Sequence, residues 1–376
     1  MKILTLLGTR PEAIKLAPVI LELRKQSSRG EINSLVCVTS QHREMADQAL
    51  KVFGIAPDYD FNIMKDNQTP AQVAAAVLSK LDPLLLKERP DWILVQGDTT
   101  TVVASALAAF YAKVKVGHVE AGLRTYDRLL PFPEEINRRL AGVVADLHFA
   151  PTEKARQNLL REGVPGNRVF LTGNTVIDAL RMAADLPYDP AIGPLKGLPW
   201  DKRLILVTAH RRESFGEPLE QICLAIRDIV SAYPQDIHVV YPVHRNPNVH
   251  DPVYRLLKGV SGVTLTSPLE YVPLVYLLKR AYLVLTDSGG IQEEAPGLGK
   301  PVLVLRKLTE RPEAVEAGTA IVVGTDRKRI VDEASRLLED RKQYERMAQA
   351  VNPYGDGYAA ARIVKALREF TDVSYA

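Results

Sequence analysis

DWILVQGDTTTVVASALAAFYAKVKVGHVE, residues 91–120, is the stretch that decides the fold. Trp92 to Val95 is a short apolar run that follows Pro90-Asp91 and stops at Gln96-Gly97-Asp98. Thr99 to Ala112 is alanine-rich and opens on threonines suited to capping a helix. Val114 to Val119 is a second apolar-rich run, and it stops at Glu120-Ala121-Gly122. Short apolar runs of this kind suit central strands of a parallel sheet covered on both faces, and strand–helix–strand at this spacing is a βαβ unit.

Working outward, the same alternation fills the chain. Ile3 to Leu7 ends at Gly8, Leu35 to Val38 at Thr39, and Leu147 to Ala150 at Pro151-Thr152. Pro11 to Lys25 reads as a helix with proline in its first turn. The second half repeats the theme, with strands expected at Leu204–Thr208, Ile237–Tyr241, Val263–Thr266, Tyr282–Thr286, Pro301–Leu305 and Ala320–Val323. A proline-rich stretch from Leu186 to Asp201 marks a boundary or a surface excursion. The expected architecture is two doubly wound α/β domains facing each other across a cleft. Residues 1–172 would form the first, with the last helix, about 358–376, packing back onto it; residues 173–357 would form the second. Ligands of such sheets bind beyond the carboxyl ends of strands.

Composition narrows the function. With 48 basic and 45 acidic residues the net charge is +3, too near balance for a nucleic-acid binder working by charge alone. Two cysteines, Cys37 and Cys223, lie far apart in apolar stretches, so neither a disulfide framework nor a metal-ligand spacing is expected. Met1-Lys2-Ile3-Leu4 runs straight into a strand pattern, and no apolar run approaches the roughly 20 residues of a membrane span. A cytoplasmic protein without metal or redox cofactor is the expectation.

The strand ends carry the chemistry. They hold Arg10, Gln41-His42-Arg43, Asp98, His118 and Glu120, His210-Arg211-Arg212-Glu213, His244, Asp287-Ser288 and Arg306. Structural turns would show Gly, Asn, Asp, Ser and Thr there. Gly8-Thr9-Arg10-Pro11-Glu12 opens a helix whose N-terminus favours an anion, with Arg10 and Lys15 placed to reach a phosphate; Lys15 reads equally as a solvated helix face. Asp287-Ser288-Gly289-Gly290 opens another helix, with Ser288 a natural cap, glycine N–H groups free for a pyrophosphate, and a carboxylate one turn further on. Asp98, Glu120 and Glu134 are acid/base candidates, and burial with mutual repulsion should raise at least one pKa. Asp98 reads alternatively as the cap of the Thr99 helix, and Glu134 as a first-turn acid. His210 can bridge or protonate a leaving phosphate, and reads alternatively as a structural histidine; Arg311 reads as a phosphate partner or as half of an ion pair. His118, His148 and His238 read as packing histidines.

Taken together, these motifs resemble one family. Gly8-Thr9-Arg10-Pro11-Glu12, Gln41-His42-Arg43, Gly97-Asp98-Thr99-Thr100-Thr101, His118-Val119-Glu120-Ala121-Gly122-Leu123-Arg124-Thr125, Pro133-Glu134-Glu135-Ile136-Asn137-Arg138, His210-Arg211-Arg212-Glu213-Ser214, Asp287-Ser288-Gly289-Gly290-Ile291-Gln292-Glu293-Glu294 and Thr309-Glu310-Arg311-Pro312-Glu313 resemble the bacterial non-hydrolysing UDP-N-acetylglucosamine 2-epimerases, in order and over nearly the whole chain. The resemblance implies a glycosyltransferase-B type fold of two Rossmann-like domains, a homodimer, and reversible conversion of UDP-GlcNAc to UDP-ManNAc that supplies ManNAc for surface polysaccharide. It places Arg10, Lys15, Asp98, Glu120, Glu134 and His210 at catalytic or substrate-contacting positions, and Ser288, Gly289, Gly290, Glu294 and Arg311 at UDP-binding ones. Leu269 and Leu274 stand where family members can carry Gln and Phe, so uracil recognition there falls to the backbone. The resemblance also implies a second UDP-GlcNAc bound as activator, near Gln41, His42, Gln68, Arg211 and His244, with Asn67 where some members carry a basic residue. It implies elimination of UDP to a 2-acetamidoglucal, then re-addition. Rival readings are a glycosyltransferase, a hydrolysing epimerase and a UDP-sugar binder without turnover. A redox epimerase is disfavoured because no G-x-G-x-x-G is present.

Overall fold

The structure, a computed structural model, describes residues 1–28, 30–39, 43–63, 65 and 67–370. The chain divides into two compact units, one of Met1–Arg181 with Tyr354–Ala376 and one of Met182–Pro353.

In the first unit the chain runs β1 (Lys2–Leu7), α1 (Arg10–Ser27), β2 (Asn33–Val38), α2 (Arg43–Val52), β3 (Tyr59–Asp60), α3 (Pro70–Glu88) and β4 (Trp92–Gln96). It continues through α4 (Thr100–Tyr111), β5 (Lys115–Val119), α5 (Glu134–Val144), β6 (Leu147–Ala150), α6 (Glu153–Arg161), β7 (Val169–Leu171) and α7 (Thr175–Ala184). The strands form one parallel sheet in the order β3-β2-β1-β4-β5-β6-β7. All five residues of β4 are buried, as a strand covered by helices on both faces requires. Leu4, Leu6, Ile93, Val95 and Val102 are among the buried side chains of its core; each contributes about 2 kcal/mol by leaving water.

In the second unit the order of elements is β8 (Arg203–Thr208), α8 (Glu217–Ala232), β9 (Ile237–Pro242), α9 (Pro247–Leu257), β10 (Val263–Thr266), α10 (Tyr271–Arg280) and β11 (Ala281–Thr286). Then come α11 (Gly289–Gly297), β12 (Val302–Val304), α12 (Pro312–Glu316), β13 (Ala320–Val322), α13 (Arg327–Glu339) and α14 (Arg341–Ala348). This sheet is also parallel, in the order β10-β9-β8-β11-β12-β13. Counted within each unit, both sheets read 3-2-1-4-5-6 from the third strand inward, the doubly wound Rossmann order. The last helix, α15 (Ala359–Glu369), packs on α1, and Phe370 meets Trp92 edge-on at 5.5 Å.

Every strand expected from an apolar run is present. β3 and β7 were not expected; with two and three residues they are too short to show a run. Cys37 and Cys223 are both free and buried. Among the described residues no helix is long and apolar enough to cross a membrane, and no group of three or more His, Cys, Asp or Glu is placed to hold a metal ion.

In both units the strand order puts the reversal of winding next to the first strand. In the first unit β1 lies beside β4, and β4 beside β5, with Gln96 level with Val119. That register brings Gly97-Asp98 and Glu120 out of the sheet side by side. In the second unit Thr208 of β8 lies level with Thr286 of β11, which brings His210-Arg211 beside Asp287-Ser288-Gly289.

Candidate active site

The first unit gathers carboxylates, and Glu120 and Asp98 each meet a cation. Glu120 is buried, and the Lys15 ammonium donates to both of its oxygens, at 2.8 and 2.6 Å. The Gln96 amide donates to it as well. Its backbone is left-handed, φ 61°, a conformation that costs a non-glycine residue of order 1 kcal/mol and persists where its surroundings over-determine it. Two residues on, Gly122 has φ 90°, and a Cβ there would lie 2.2 Å from the Ala155 carbonyl, so only glycine carries the chain away. Lys15 is thus the partner of a carboxylate here and not a solvated helix face.

Asp98 does not cap α4. Thr99 is the cap, its hydroxyl accepting from the Val102 N–H at 3.3 Å. Asp98 is released to pair with Arg138 of α5, which also reaches the fully buried Glu135 at 3.5 Å. Burial pushes the Asp98 carboxyl above its ordinary value; Arg138 opposes that rise, and the Glu120 charge adds to it. The expected repulsion between the two carboxylates is therefore present, with burial the larger cause. Glu134, by contrast, stands at the first position of α5, half-buried, beside Glu135.

Arg10 opens α1 behind its cap, Thr9. Glu12 closes the capping box and does more. It accepts from the Gly8 and Thr9 N–H groups at 2.7 and 2.6 Å and from the Thr99 hydroxyl at 2.6 Å, tying the loop after β1 to the loop after β4. The anion end of α1 is therefore occupied by the chain's own carboxylate. Burial lifts Glu12 above its ordinary pKa, against the pull of these bonds.

The second unit gathers cations and backbone donors. Ser288 sits at the N-cap of α11, yet its side chain makes no capping bond, contrary to the expectation from sequence. A Cβ on Gly289 would lie 3.8 Å from the Arg211 guanidinium and 3.9 Å from that of Arg311, so both arginines converge on the start of this helix. Gly290 faces the Ser288 hydroxyl and a Glu294 oxygen at about the same distance, 3.9 and 4.0 Å. Arg311 is held by the buried Glu293, which makes the ion-pair reading and the anion reading compatible. Glu294 is buried and accepts from the Tyr271 hydroxyl at 3.2 Å. Helix N–H groups with two guanidiniums beside them are a donor set that suits an anion.

His210 lies at the same sheet edge. Its N–H and that of Arg211 both donate to one oxygen of Asp287, each at 2.7 Å. Its ring stacks on His244, with centroids 5.3 Å apart and planes 15° apart. Burial pushes its imidazole below the ordinary value; Asp287 pulls it back, and His244 and Arg211 push it further down.

Comparison with known proteins gives the family. Residues 24–368 match the family model described as UDP-N-acetylglucosamine 2-epimerase. The chain belongs to the UDP-N-acetylglucosamine 2-epimerase family. It is 54% identical to the UDP-N-acetylglucosamine 2-epimerase of Escherichia coli K12, over 98% of each chain. A crystal structure of the UDP-GlcNAc 2-epimerase of Neisseria meningitidis, bound to UDP-GlcNAc, superposes with a TM-score of 0.87 at 50% identity, covering 98% of this chain and 100% of that one. The kitacinnamycin glycotransferase, 16% identical with a TM-score of 0.64 over 97% of this chain and 99% of that one, shares the fold alone. Members of the UDP-N-acetylglucosamine 2-epimerase family are enzymes, and the two Rossmann-like units are those of the glycosyltransferase-B class.

Several site residues of this 2-epimerase family member were not singled out from sequence. Arg138 was visible only as part of a motif, although Glu135 and Arg138, three apart on one helix, are a readable pair. Gln96 was noted only where an apolar run stops. Asp287 was noted at a strand end without a partner. Of the residues assigned to an activator, Gln41 and His42 lie outside the described residues. Gln68 turns its amide onto its own loop, donating to the Ile63 carbonyl and accepting from the Lys65 N–H, both at 2.9 Å. Arg211 and His244 belong to the second unit, beside His210. Leu269 is buried and Leu274 half-buried, so neither presents a polar group to a base. His118 and His148 are buried, and His238 bonds Thr264, as packing histidines should.

Proposed function

We propose that this chain interconverts UDP-N-acetylglucosamine and UDP-N-acetylmannosamine by inverting C2 without releasing free sugar. The observation that carries the reading is the carboxylate pair of half-buried Asp98 and buried Glu120, each with its own cation. The C2 hydrogen is not next to a carbonyl, so a stabilised carbanion is not available. Elimination is the alternative: the C1–O bond breaks with its electrons leaving on UDP, a carboxylate takes the C2 proton, and a C1=C2 double bond forms, giving 2-acetamidoglucal. Re-addition returns a proton to the other face of C2 and the UDP oxygen to C1. Asp98, Glu120 and Glu134 are the proton carriers; burial raises the Asp98 carboxyl, which suits it to proton transfer nearer neutrality. Lys15 and Arg138 steady the first two. Ser288, Gly289, Gly290, Glu294 and Arg311 hold UDP, and Arg10 and His210 meet the charge that develops on the departing diphosphate.

The same reading makes the chain a homodimer. Leu86 of α3, Phe110 and Tyr111 of α4, and Leu140 and Val143 of α5 are all exposed, and these helices pack in sequence, so their apolar side chains lie on adjacent ridges. It also takes a second UDP-GlcNAc as activator, and supplies ManNAc units for surface polysaccharide.

The test is NMR of the purified chain with UDP-GlcNAc alone in D2O. UDP-ManNAc carrying deuterium at C2 is expected. Free ManNAc with UDP would instead mark a hydrolysing enzyme, and inertness until an acceptor is added would mark a glycosyltransferase.

A further inference from the structure

We propose that Asp287 is a positioning residue that turns His210 so that Nε2, and not Nδ1, meets the ligand's diphosphate. The proposal rests on the reading of His210 given above. Asp287 directly follows β11 and is wholly buried. One of its oxygens, Oδ2, is committed to the backbone of the loop after β8, accepting from the His210 and Arg211 N–H groups. The other, Oδ1, is buried without a hydrogen-bond partner and lies 3.8 Å from Nδ1 of His210. An unpartnered buried carboxylate oxygen keeps its desolvation cost uncompensated, and one N–H donor would remove it. Nδ1 of His210 is the ring nitrogen that faces it, a small movement beyond bonding distance. The ring plane is meanwhile set by His244, whose own Nδ1 accepts from the Asn246 N–H at 3.1 Å.

A proton on Nδ1, donated to Oδ1, leaves Nε2 as the nitrogen that accepts in the neutral ring and donates in the charged one. The charged and titratable groups facing the ring are Asp287 just after β11, His244 from the loop after β9, and Arg211 from its own loop. Asp287 is the anion among them, so it is the group that favours the imidazolium needed to donate to a leaving phosphate.

The experiment compares D287N with wild type and H210A. An asparagine keeps a carbonyl oxygen for the two backbone donors but offers Nδ1 a donor, which forces the proton onto Nε2. D287N is expected to lower kcat about a hundredfold while UDP affinity and KM hold within about threefold. The limb of the pH profile that reports His210 should move to lower pH, since the opposing charge is gone. In the ¹⁵N spectrum of wild-type His210 the neutral ring should be protonated on Nδ1, and in D287N on Nε2. A wild-type ring protonated on Nε2, or a D287N enzyme with full kcat, overturns the proposal; the wild-type spectrum decides even if the variant does not fold. Full activity in H210A would instead sink the role given to His210, whatever the tautomer.

Discussion

The helix after β4 and the helix after β11 hold the same place in two sheets of the same order, yet their first turns are finished in opposite ways. At α4 the Thr99 hydroxyl caps the helix and is itself bonded to the Glu12 carboxylate. At α11 the Ser288 side chain caps nothing, and the guanidiniums of Arg211 and Arg311 stand beside Gly289. One helix start is closed by the protein's own oxygens. The other leaves N–H groups and cations for an anion from outside. The lesson is that a doubly wound sheet supplies a position, and the residue just past the strand decides the sign of the charge that position accepts.

The largest effect expected from this difference is kinetic. Glu120→Gln keeps the shape of the Lys15 contact but removes a proton carrier, and kcat should fall about a thousandfold with little change in KM. Arg311→Met should instead raise KM for UDP-GlcNAc about tenfold or more, by removing a charge-assisted bond of about 1.5–3 kcal/mol. Steady-state kinetics measure both. If the two variants shift kcat and KM alike, the division of labour between the units is wrong.

A second effect concerns acid. Burial holds His118 at about 4 and His148 at about 3, against an ordinary 6.5. Both rings are neutral in the fold, and below that ordinary value the unfolded chain takes up protons that the fold refuses. Their stabilisation is therefore complete above pH 6.5 and is lost as the pH falls toward the two depressed values. From pH 7 to 5 the loss is about 2 kcal/mol per histidine, all of it in the first unit. His210 and His238 of the second unit are pushed the same way but remain partly exposed, so the loss there is smaller. The chain has two tryptophans, Trp92 in the first unit and Trp200 in the second, so fluorescence during urea unfolding reads each unit separately. The Trp92 midpoint should fall further with acid than the Trp200 midpoint; equal falls would erase the contrast.

The smallest effect tests the caps themselves. Thr99→Ala should cost about 1 kcal/mol, as loss of a helix cap does. Ser288→Ala should change stability by less than about 0.5 kcal/mol, because no capping bond is lost. Urea midpoints from the same two tryptophans decide it. A Ser288→Ala loss as large as that of Thr99→Ala would mean the two helix starts are built alike.

Much of this was legible in the chain. The apolar runs marked eleven strands, because a strand buried on both faces has no polar residue to hide it. β3 and β7 escaped, being too short for periodicity and, at Leu171, exposed at the sheet edge. The strand ends announced chemistry by their charge. Their pairings did not show. Asp98 looked as much like a cap as a catalyst until Thr99 proved to take that task and Arg138, forty residues on, proved to be its partner. Ser288 looked like a cap because serine usually is one there; local statistics do not see the two arginines brought to Gly289.

The sequence by itself determined the alternation of strands and helices, the likeness to an epimerase family and the kinds of group placed after each strand. Only the tertiary structure decided which of those groups meet. Lys15 reaches Glu120 across 105 residues, Thr99 reaches Glu12 across 87, and His210 reaches Asp287 across 77. The physical reason is that hydrophobic periodicity sets which face of an element is buried, whereas the identity of its neighbour depends on strand order. In a parallel sheet that order is settled by crossovers dozens of residues long, packed against the whole core at once.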